Sequence, residues 1–172
     1  PIQTFINQSF IRIYGLNMTE ASQPVEDYKS LGELFIRTLK PALRPSQGEI
    51  IYPADGTMIV QGFLKEHGEL IQAKGLRYSA SELVLGKKQK NKQSFKQAEF
   101  YTTIYLAPYN YHRVHVPATA CLVAMRYIRG TLWPVNQMFS SLVRGLFCVN
   151  ERLVFEFKMS SGGKYYLVMI GA

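Results

Sequence analysis

Apolar residues at the start of the chain recur every three or four positions, the spacing of one face of a helix. This pattern predicts an amphipathic helix within residues 1–17 that ends near Gly15. Two interpretations fit the pattern: a helix packed on its own domain, or a helix lying in a lipid interface. The apolar positions are Ile2, Phe5, Ile6, Phe10, Ile13 and Tyr14.

A second helical stripe covers residues 30–39, after a polar connector that contains Pro24. Ser30 and Glu33 have the spacing of a capping box, which marks the start of a helix. Pro41 predicts that this helix ends near residue 40, because the residue before a proline avoids the helical conformation.

From residue 50 onward, short runs rich in β-branched and aromatic residues alternate with turn residues, a pattern typical of antiparallel sheets. Short helices are predicted at 79–86, with Ser79 or Ser81 as cap and Gly86 as terminator, and at 135–144. We therefore predict an α+β fold: a β-rich core of antiparallel sheets with N-terminal amphipathic helices. The predicted strands are 49–52, 57–64, 70–73, 100–107, 114–128, 152–159 and 164–172, the last two forming a hairpin.

Composition narrows the class of protein. With 47% hydrophobic and 19% charged residues among 172, the chain can form a packed core. Its net charge of +8 favours an anionic partner, either phospholipid or nucleic acid. The lysine-rich segment 87–96 supports a nucleic-acid-binding module as an alternative, although aromatic residues that stack on bases are sparse there. Cys121 and Cys148 have apolar neighbours and are predicted to be buried free thiols.

Two histidines three residues apart, His112 and His115 in YHRVH, are the first candidates for chemistry. No metal is predicted, because residues i and i+3 of a strand face opposite sides and no cysteine pair is present. Acid–base catalysis and a structural role both remain, since imidazole titrates near neutral pH. Asp55 in YPADG is either a turn residue or a carboxylate that orients a histidine, and spacing alone does not choose.

Seven segments in a fixed order carry a family resemblance over nearly the whole chain. With YHRVHVP, YPADG and QAKG among them, the sequence resembles the bacterial phosphatidylserine decarboxylases. The segments are FIRTLKPALRP, YPADG, IQAKGLRYSASELVLG, YLAPYNYHRVHVP, GTLWPVN, LFCVNERL and VMIGA.

The resemblance implies an enzyme that is made as a proenzyme and cleaves itself before the serine of a Gly-Ser-Thr motif. That serine becomes a pyruvoyl group at the start of a small α chain, and the N-terminal part becomes the β chain. This sequence contains no Gly-Ser-Thr. We therefore expect it to be part of a β chain, divided into a membrane-docking helical arm (1–45) and a β-rich catalytic domain (46–172), which the α chain completes.

Residue roles follow from the same resemblance. Asp55 and His115 match the carboxylate and base that activate the serine for an N→O acyl shift, and β-elimination then leads to the pyruvoyl group. His112 matches the residue that serves decarboxylation by proton transfer, and Tyr105 is a candidate for the substrate pocket. Asn110 departs from the aspartate found in many relatives, yet both histidines are intact.

The implied reaction converts phosphatidylserine to phosphatidylethanolamine and CO₂, with the pyruvoyl group as electron sink. A lipid substrate favours docking on an anionic membrane through Ile2, Phe5, Ile6 and Phe10, at the cytoplasmic face of the bacterial inner membrane. The resemblance implies no nucleic-acid partner and leaves a homodimer open. A pyruvoyl decarboxylase of a soluble amino acid is a further alternative.

Overall fold

A computed structural model describes residues 2–64, 68–73, 75–88, 95 and 99–172. The chain forms two compact units. The first unit comprises Pro1–Thr57 and Ile104–Ala118, and the second comprises Met58–Thr103 and Thr119–Ala172. Within the described ranges, no helix is both long and apolar enough to cross a membrane.

The first unit begins with helix α1, Ile2–Tyr14. It ends where predicted, because Gly15 adopts the left-handed conformation (φ +67°) that favours glycine. One side of α1 packs through Phe10 on a small core of Leu16, Tyr28 and Leu34. The amide of the fully buried Asn7 donates a 2.9 Å hydrogen bond to the carbonyl oxygen of Tyr28, so this helix is fixed by a polar contact as well.

Helix α2 is shorter than predicted, spanning Leu31–Phe35 rather than 30–39. Its start is confirmed, since the hydroxyl of Ser30 accepts a hydrogen bond from the Glu33 amide. It ends early because the following residues pair in an extended conformation with residues 20–22: the Ser22 amide donates to the Thr38 carbonyl, and the Lys40 amide to the Glu20 carbonyl. Long-range pairing thus replaces the last turns of the predicted helix.

Most strands lie in the second unit and confirm the α+β class. β1 (Thr57–Phe63) pairs with β4 (Phe100–Tyr105), and β2 (Glu69–Ala73) with β3 (Leu76–Ser79). The largest described sheet is antiparallel in the order β5-β6-β7, and its last two strands form the predicted hairpin. These strands are β5 (Ala120–Ile128), β6 (Arg152–Met159) and β7 (Lys164–Ile170).

Three short helices cover the core of the second unit: α3 (Ala80–Leu85), α4 (Gln137–Leu142) and α5 (Leu146–Val149). α3 has its predicted boundaries, with Ser79 as N-cap and Gly86 as terminator. The buried Gln72 side chain donates to the carbonyls of Ser140 and Val143 and accepts from the Leu146 amide. This one amide therefore satisfies three backbone groups at the ends of α4 and α5.

Several sequence predictions are wrong. Residues 49–52 form no strand, only a single bridge from Ile50 to Ala118, and the strand predicted at 114–128 begins at Ala120, after Pro117. β3 and α5 were not predicted. Most of the lysine-rich segment 87–96 lies outside the described residues.

The prediction that both cysteines are buried is wrong for Cys121, which is exposed on β5, one of the two edge strands of the described sheet. Cys148 is half-buried, less than predicted. Burial raises the pKa of the Cys148 thiol to about 12. The division into a docking arm and a catalytic domain at residues 45 and 46 stays a prediction.

We expect Leu146→Ala to lower the free energy of unfolding of the full-length protein by about 2–5 kcal/mol, because it leaves a cavity under a fully buried side chain. Leu142→Ala removes the same atoms from a side chain that is 73% exposed, and should change stability by less than about 0.5 kcal/mol. Urea unfolding followed by tryptophan fluorescence measures both variants. Equal losses would contradict the core placement of Leu146.

Candidate active site

A short antiparallel pairing in the first unit brings the YPADG and YHRVH segments together. The Ile51 amide donates to the Pro117 carbonyl (2.8 Å), and the His115 amide donates to the Pro53 carbonyl (2.6 Å). The backbone of His115 therefore lies against Pro53, two residues before Asp55. Two motifs that are far apart in the sequence are neighbours in the fold.

Gly56 allows this turn to lie directly on the end of strand β4. A Cβ atom built on Gly56 would lie 2.9 Å from the Ile104 Cγ2 atom and would clash with the carbonyl oxygen of Tyr105. The glycine of YPADG is thus required by close backbone approach. It places the half-buried Tyr105 beside the turn that carries Asp55.

The Asp55 carboxylate is bound in bidentate fashion by the guanidinium of Arg44. Arg44 Nε lies 2.8 Å from Oδ1 of Asp55, and Nη2 lies 2.6 Å from Oδ2. The same Nη2 atom also donates to Glu20 at 2.9 Å. The hydrogen bonds from Arg44, to Asp55 first and also to Glu20, raise its pKa, so the guanidinium stays charged between two carboxylates.

His112 is half-buried, and one of its two ring nitrogens makes a hydrogen bond to the backbone. Nδ1 lies 2.9 Å from the carbonyl oxygen of Asn110. Because a carbonyl can only accept, Nδ1 carries the proton in the neutral ring, and Nε2 presents the lone pair. The Phe35 ring lies against the imidazole, with 3.8 Å between the centroids. Burial, together with the nearby charge of Arg37, lowers the pKa of His112 below its usual value.

Residues 35–37 hold the His112 loop at three points. Besides the Phe35 ring contact, Arg37 Nη2 donates to the Tyr109 carbonyl (3.0 Å), and Arg113 Nε donates to the Ile36 carbonyl (2.8 Å). Arg37 is only 4% exposed, and its Nε and Nη1 atoms have no hydrogen-bond partner in the described parts of the chain. The loop that carries His112 is therefore in contact with a buried cation, the guanidinium of Arg37.

Asn110 also shapes this loop. Its side-chain oxygen accepts a 2.7 Å hydrogen bond from the backbone amide of Ala107, and the backbone amide of Asn110 donates to the Ala107 carbonyl. An aspartate would present the same acceptor to Ala107. The asparagine therefore preserves the turn that presents His112.

His115 is exposed, and its ring lies 5.6 Å from that of the buried Tyr111, centroid to centroid. The backbones of His115 and the Asp55 turn are adjacent, yet no hydrogen bond joins the imidazole to the carboxylate within the described residues. The carboxylate of Asp55 is bound by Arg44 instead.

Three of the four predicted docking residues are exposed, and the fourth packs on the core of the first unit. Ile2, Phe5 and Ile6 are exposed, by 80%, 71% and 39%, whereas Phe10 packs on the core of the first unit. Ile13, which was not among the predicted docking residues, is 74% exposed. An apolar stripe without a partner in the described residues thus runs along the outer face of α1.

Sequence reasoning did not assign a role to Arg44, Glu20, Phe35 or Arg37. Three of them lie in or at the edge of FIRTLKPALRP, which did carry the resemblance. That matched segment was the available signal. The segment contains a buried arginine, Arg37, and an arginine that binds a carboxylate, Arg44. Contacts between residues far apart in the sequence decide these two environments, and the spacing of the motif does not reveal such contacts.

The comparisons with known proteins agree with these motifs. The family described as phosphatidylserine decarboxylase matches residues 31–172. The chain is 39% identical to a phosphatidylserine decarboxylase proenzyme of Brevibacillus brevis, over 100% of this chain and 61% of that protein. It is 38% identical to the proenzyme of that name from Myxococcus xanthus (100% and 61%) and 43% identical to the one from Legionella pneumophila (99% and 60%).

This chain therefore belongs to the phosphatidylserine decarboxylase family. It spans about three fifths of the length of these curated relatives.

We expect His112 to titrate below 6.5, the ordinary value for histidine, with Nδ1 protonated in the neutral form. Nitrogen-15 NMR of histidine-labelled protein measures both the midpoint and the tautomer, and the His112→Gln variant identifies the signal. Phe35→Ala should raise the midpoint, because burial is the main cause of the lowered pKa. A midpoint at or above 6.5 in the unmodified protein would contradict the described surroundings of His112.

Proposed function

We propose that the full-length protein containing this chain is a pyruvoyl-dependent phosphatidylserine decarboxylase that forms its own cofactor by self-cleavage. The observation that carries the proposal is the state of His112, within the family's matched region. Its ring is half-buried, with Nδ1 bound to a carbonyl and Nε2 without a hydrogen bond to any described residue. A neutral imidazole with one available lone pair is suited to moving a proton.

Self-cleavage is assigned to Asp55 and His115, acting on a serine from sequence outside residues 1–172. His115 takes the proton of the serine hydroxyl, and the oxygen attacks the carbonyl carbon of the preceding residue. The C–N bond of that peptide then breaks, the serine nitrogen takes the proton, and an ester remains. β-Elimination of the ester releases the preceding segment as a carboxylate and leaves dehydroalanine, which water hydrolyses to the pyruvoyl group and ammonia. Asp55 orients the imidazole and stabilises its positive charge. The pairing of the His115 amide with the Pro53 carbonyl supports this assignment, because it holds the two residues on adjacent backbones.

Decarboxylation is assigned to His112. The pyruvoyl group, when present, supplies an electron sink for the pair left on the substrate α-carbon, which unmodified side chains do not supply. The described residues fit such a group, since His112 offers a proton-transfer atom and the Phe35 ring shields one face of the imidazole. After CO₂ has left, His112, which takes a proton from solvent at Nε2, donates that proton to the α-carbon. Tyr105, beside the Asp55 turn, is proposed to line the substrate pocket.

The membrane surface is the proposed partner of α1. Ile2, Phe5 and Ile6, joined by Ile13, form an exposed apolar stripe that fits insertion at the level of the lipid headgroups. The net charge of +8 suits an anionic leaflet. We propose peripheral binding at the cytoplasmic face of the bacterial inner membrane, with an α chain completing the enzyme.

Substitutions at different residues should affect self-cleavage and decarboxylation separately. Asp55→Ala and His115→Ala are expected to leave the full-length proenzyme uncleaved, whereas His112→Ala should permit cleavage and lower decarboxylation of phosphatidylserine by about 10²–10⁴-fold. Intact mass spectrometry follows the cleavage, and release of CO₂ from vesicles that contain phosphatidylserine follows the second reaction.

The control for both reactions is Thr102→Ala, at an exposed position on β4 outside the assigned site, and it should leave both unchanged. Normal cleavage in both the Asp55 and His115 variants would overturn the assignment of self-cleavage. Release of CO₂ from water-soluble serine, with none from the lipid, would favour a decarboxylase of a soluble amino acid instead.

Membrane docking is tested by placing charge on the outer face of α1. Phe5→Glu and Ile13→Glu should each weaken binding to vesicles of phosphatidylglycerol and phosphatidylcholine by about 10-fold or more, because each removes a large apolar side chain from the interface. Vesicle flotation measures the bound fraction. Gln8→Glu makes a similar change in charge at an exposed polar position of the same helix, and should have a smaller effect. Equal losses in all three variants would point to net charge alone.

A further inference from the structure

We infer that Arg44 is a positioning residue for self-cleavage, and that it acts by fixing the orientation of the Asp55 carboxylate. The inference rests on the proposed function, because it concerns the reaction assigned there to Asp55 and His115. It assigns a role to the guanidinium that binds Asp55 and to Glu20, which binds that guanidinium.

The geometry is that of a carboxylate held in one orientation. Arg44 contacts both oxygens of Asp55, Oδ1 at 2.8 Å and Oδ2 at 2.6 Å, and a planar guanidinium that binds in this way fixes the plane of the carboxylate. Asp55 and Arg44 are both partly exposed, with 25% and 35% of their side chains accessible. Among the described residues, Arg44 is the one hydrogen-bond partner of the Asp55 carboxylate, so its loss would leave that side chain with no described partner to fix its rotation.

Glu20 restrains Arg44 in turn. Its carboxylate accepts from Arg44 Nη2 at 2.9 Å, and Arg44 Nη1 donates to the carbonyl of its own neighbour, Leu43. The Lys40 amide donates to the Glu20 carbonyl, so the backbone on which Glu20 sits is itself paired. The series Glu20, Arg44, Asp55 therefore connects the paired backbone at residue 20 to the turn beside His115.

The contact with Arg44 leaves Asp55 able to accept another hydrogen bond. Two carboxylate oxygens offer about four lone-pair sites, and the three contacts from Arg44 do not fill them all. Asp55 is then available to orient the imidazole of His115, whose backbone amide lies on the Pro53 carbonyl.

The test measures the rate of self-cleavage of the full-length proenzyme. Arg44→Ala should slow cleavage on the order of 10- to 100-fold, a loss of the size found when residues that orient the ligands of a metal ion are removed. Guanidinium chloride at millimolar concentration should restore part of the rate to Arg44→Ala in a saturable manner, whereas sodium chloride should not. Such rescue would show that the guanidinium group itself, and not the packing of the rest of the Arg44 side chain, supports cleavage.

Two further variants complete the test. Arg77→Ala removes another ion-paired arginine, the partner of Glu69 on β2, and should cleave at the unmodified rate with no response to guanidinium. Glu20→Gln should slow cleavage less than Arg44→Ala, and should add nothing to it in the double variant, because Glu20 acts through Arg44.

The outcomes separate the inference from the proposed function. If the unmodified proenzyme does not cleave itself, the proposed function fails, and this inference fails with it. If the unmodified protein cleaves and Arg44→Ala matches its rate, the inference alone is overturned. A slow Arg44→Ala protein that guanidinium does not rescue, or an additive effect of Glu20→Gln, also overturns it.

Discussion

The backbone pairing between residues 50–53 and 115–118 is the contact on which the candidate site depends. Two hydrogen bonds, Ile51 to Pro117 and His115 to Pro53, join segments that are far apart in the sequence. The close approach of Gly56 to Tyr105 holds the same turn from its other end. Because these contacts use backbone atoms, they fix the backbone positions of Asp55 and His115. The orientations of the two side chains depend on the contacts that each side chain makes itself.

Those partners differ for the two histidines, although the residues are only three positions apart. His112 is half-buried and restrained by Phe35 and by the carbonyl of Asn110, whereas His115 is exposed. A restrained imidazole and an accessible one suit different tasks. The two histidines therefore differ in their surroundings as they do in the roles proposed for them.

The sequence predicted elements whose ends are set by local contacts. α1 ends at Tyr14, before Gly15, and α3 begins at Ala80, after its N-cap Ser79, so a neighbouring glycine and serine set these two ends. The sequence-based prediction of the end of α2 was wrong, because the pairing of Thr38 with Ser22 replaces helical hydrogen bonds there. The same distinction applies to the candidate site: the motifs named Asp55 and His112 as candidates, but the contact of Asp55 with Arg44 depends on the path of the chain.

The unequal surroundings of the two cysteines have a practical consequence. Thiol reagents attack the thiolate, and burial, which raises the pKa of Cys148 to about 12, leaves very little of that thiol ionised at pH 8. Cys121 is open to solvent on the first strand of its sheet. A fluorescent or spin label can therefore be attached at Cys121 of this chain without engineering a new cysteine, which gives a reporter on the edge of that sheet.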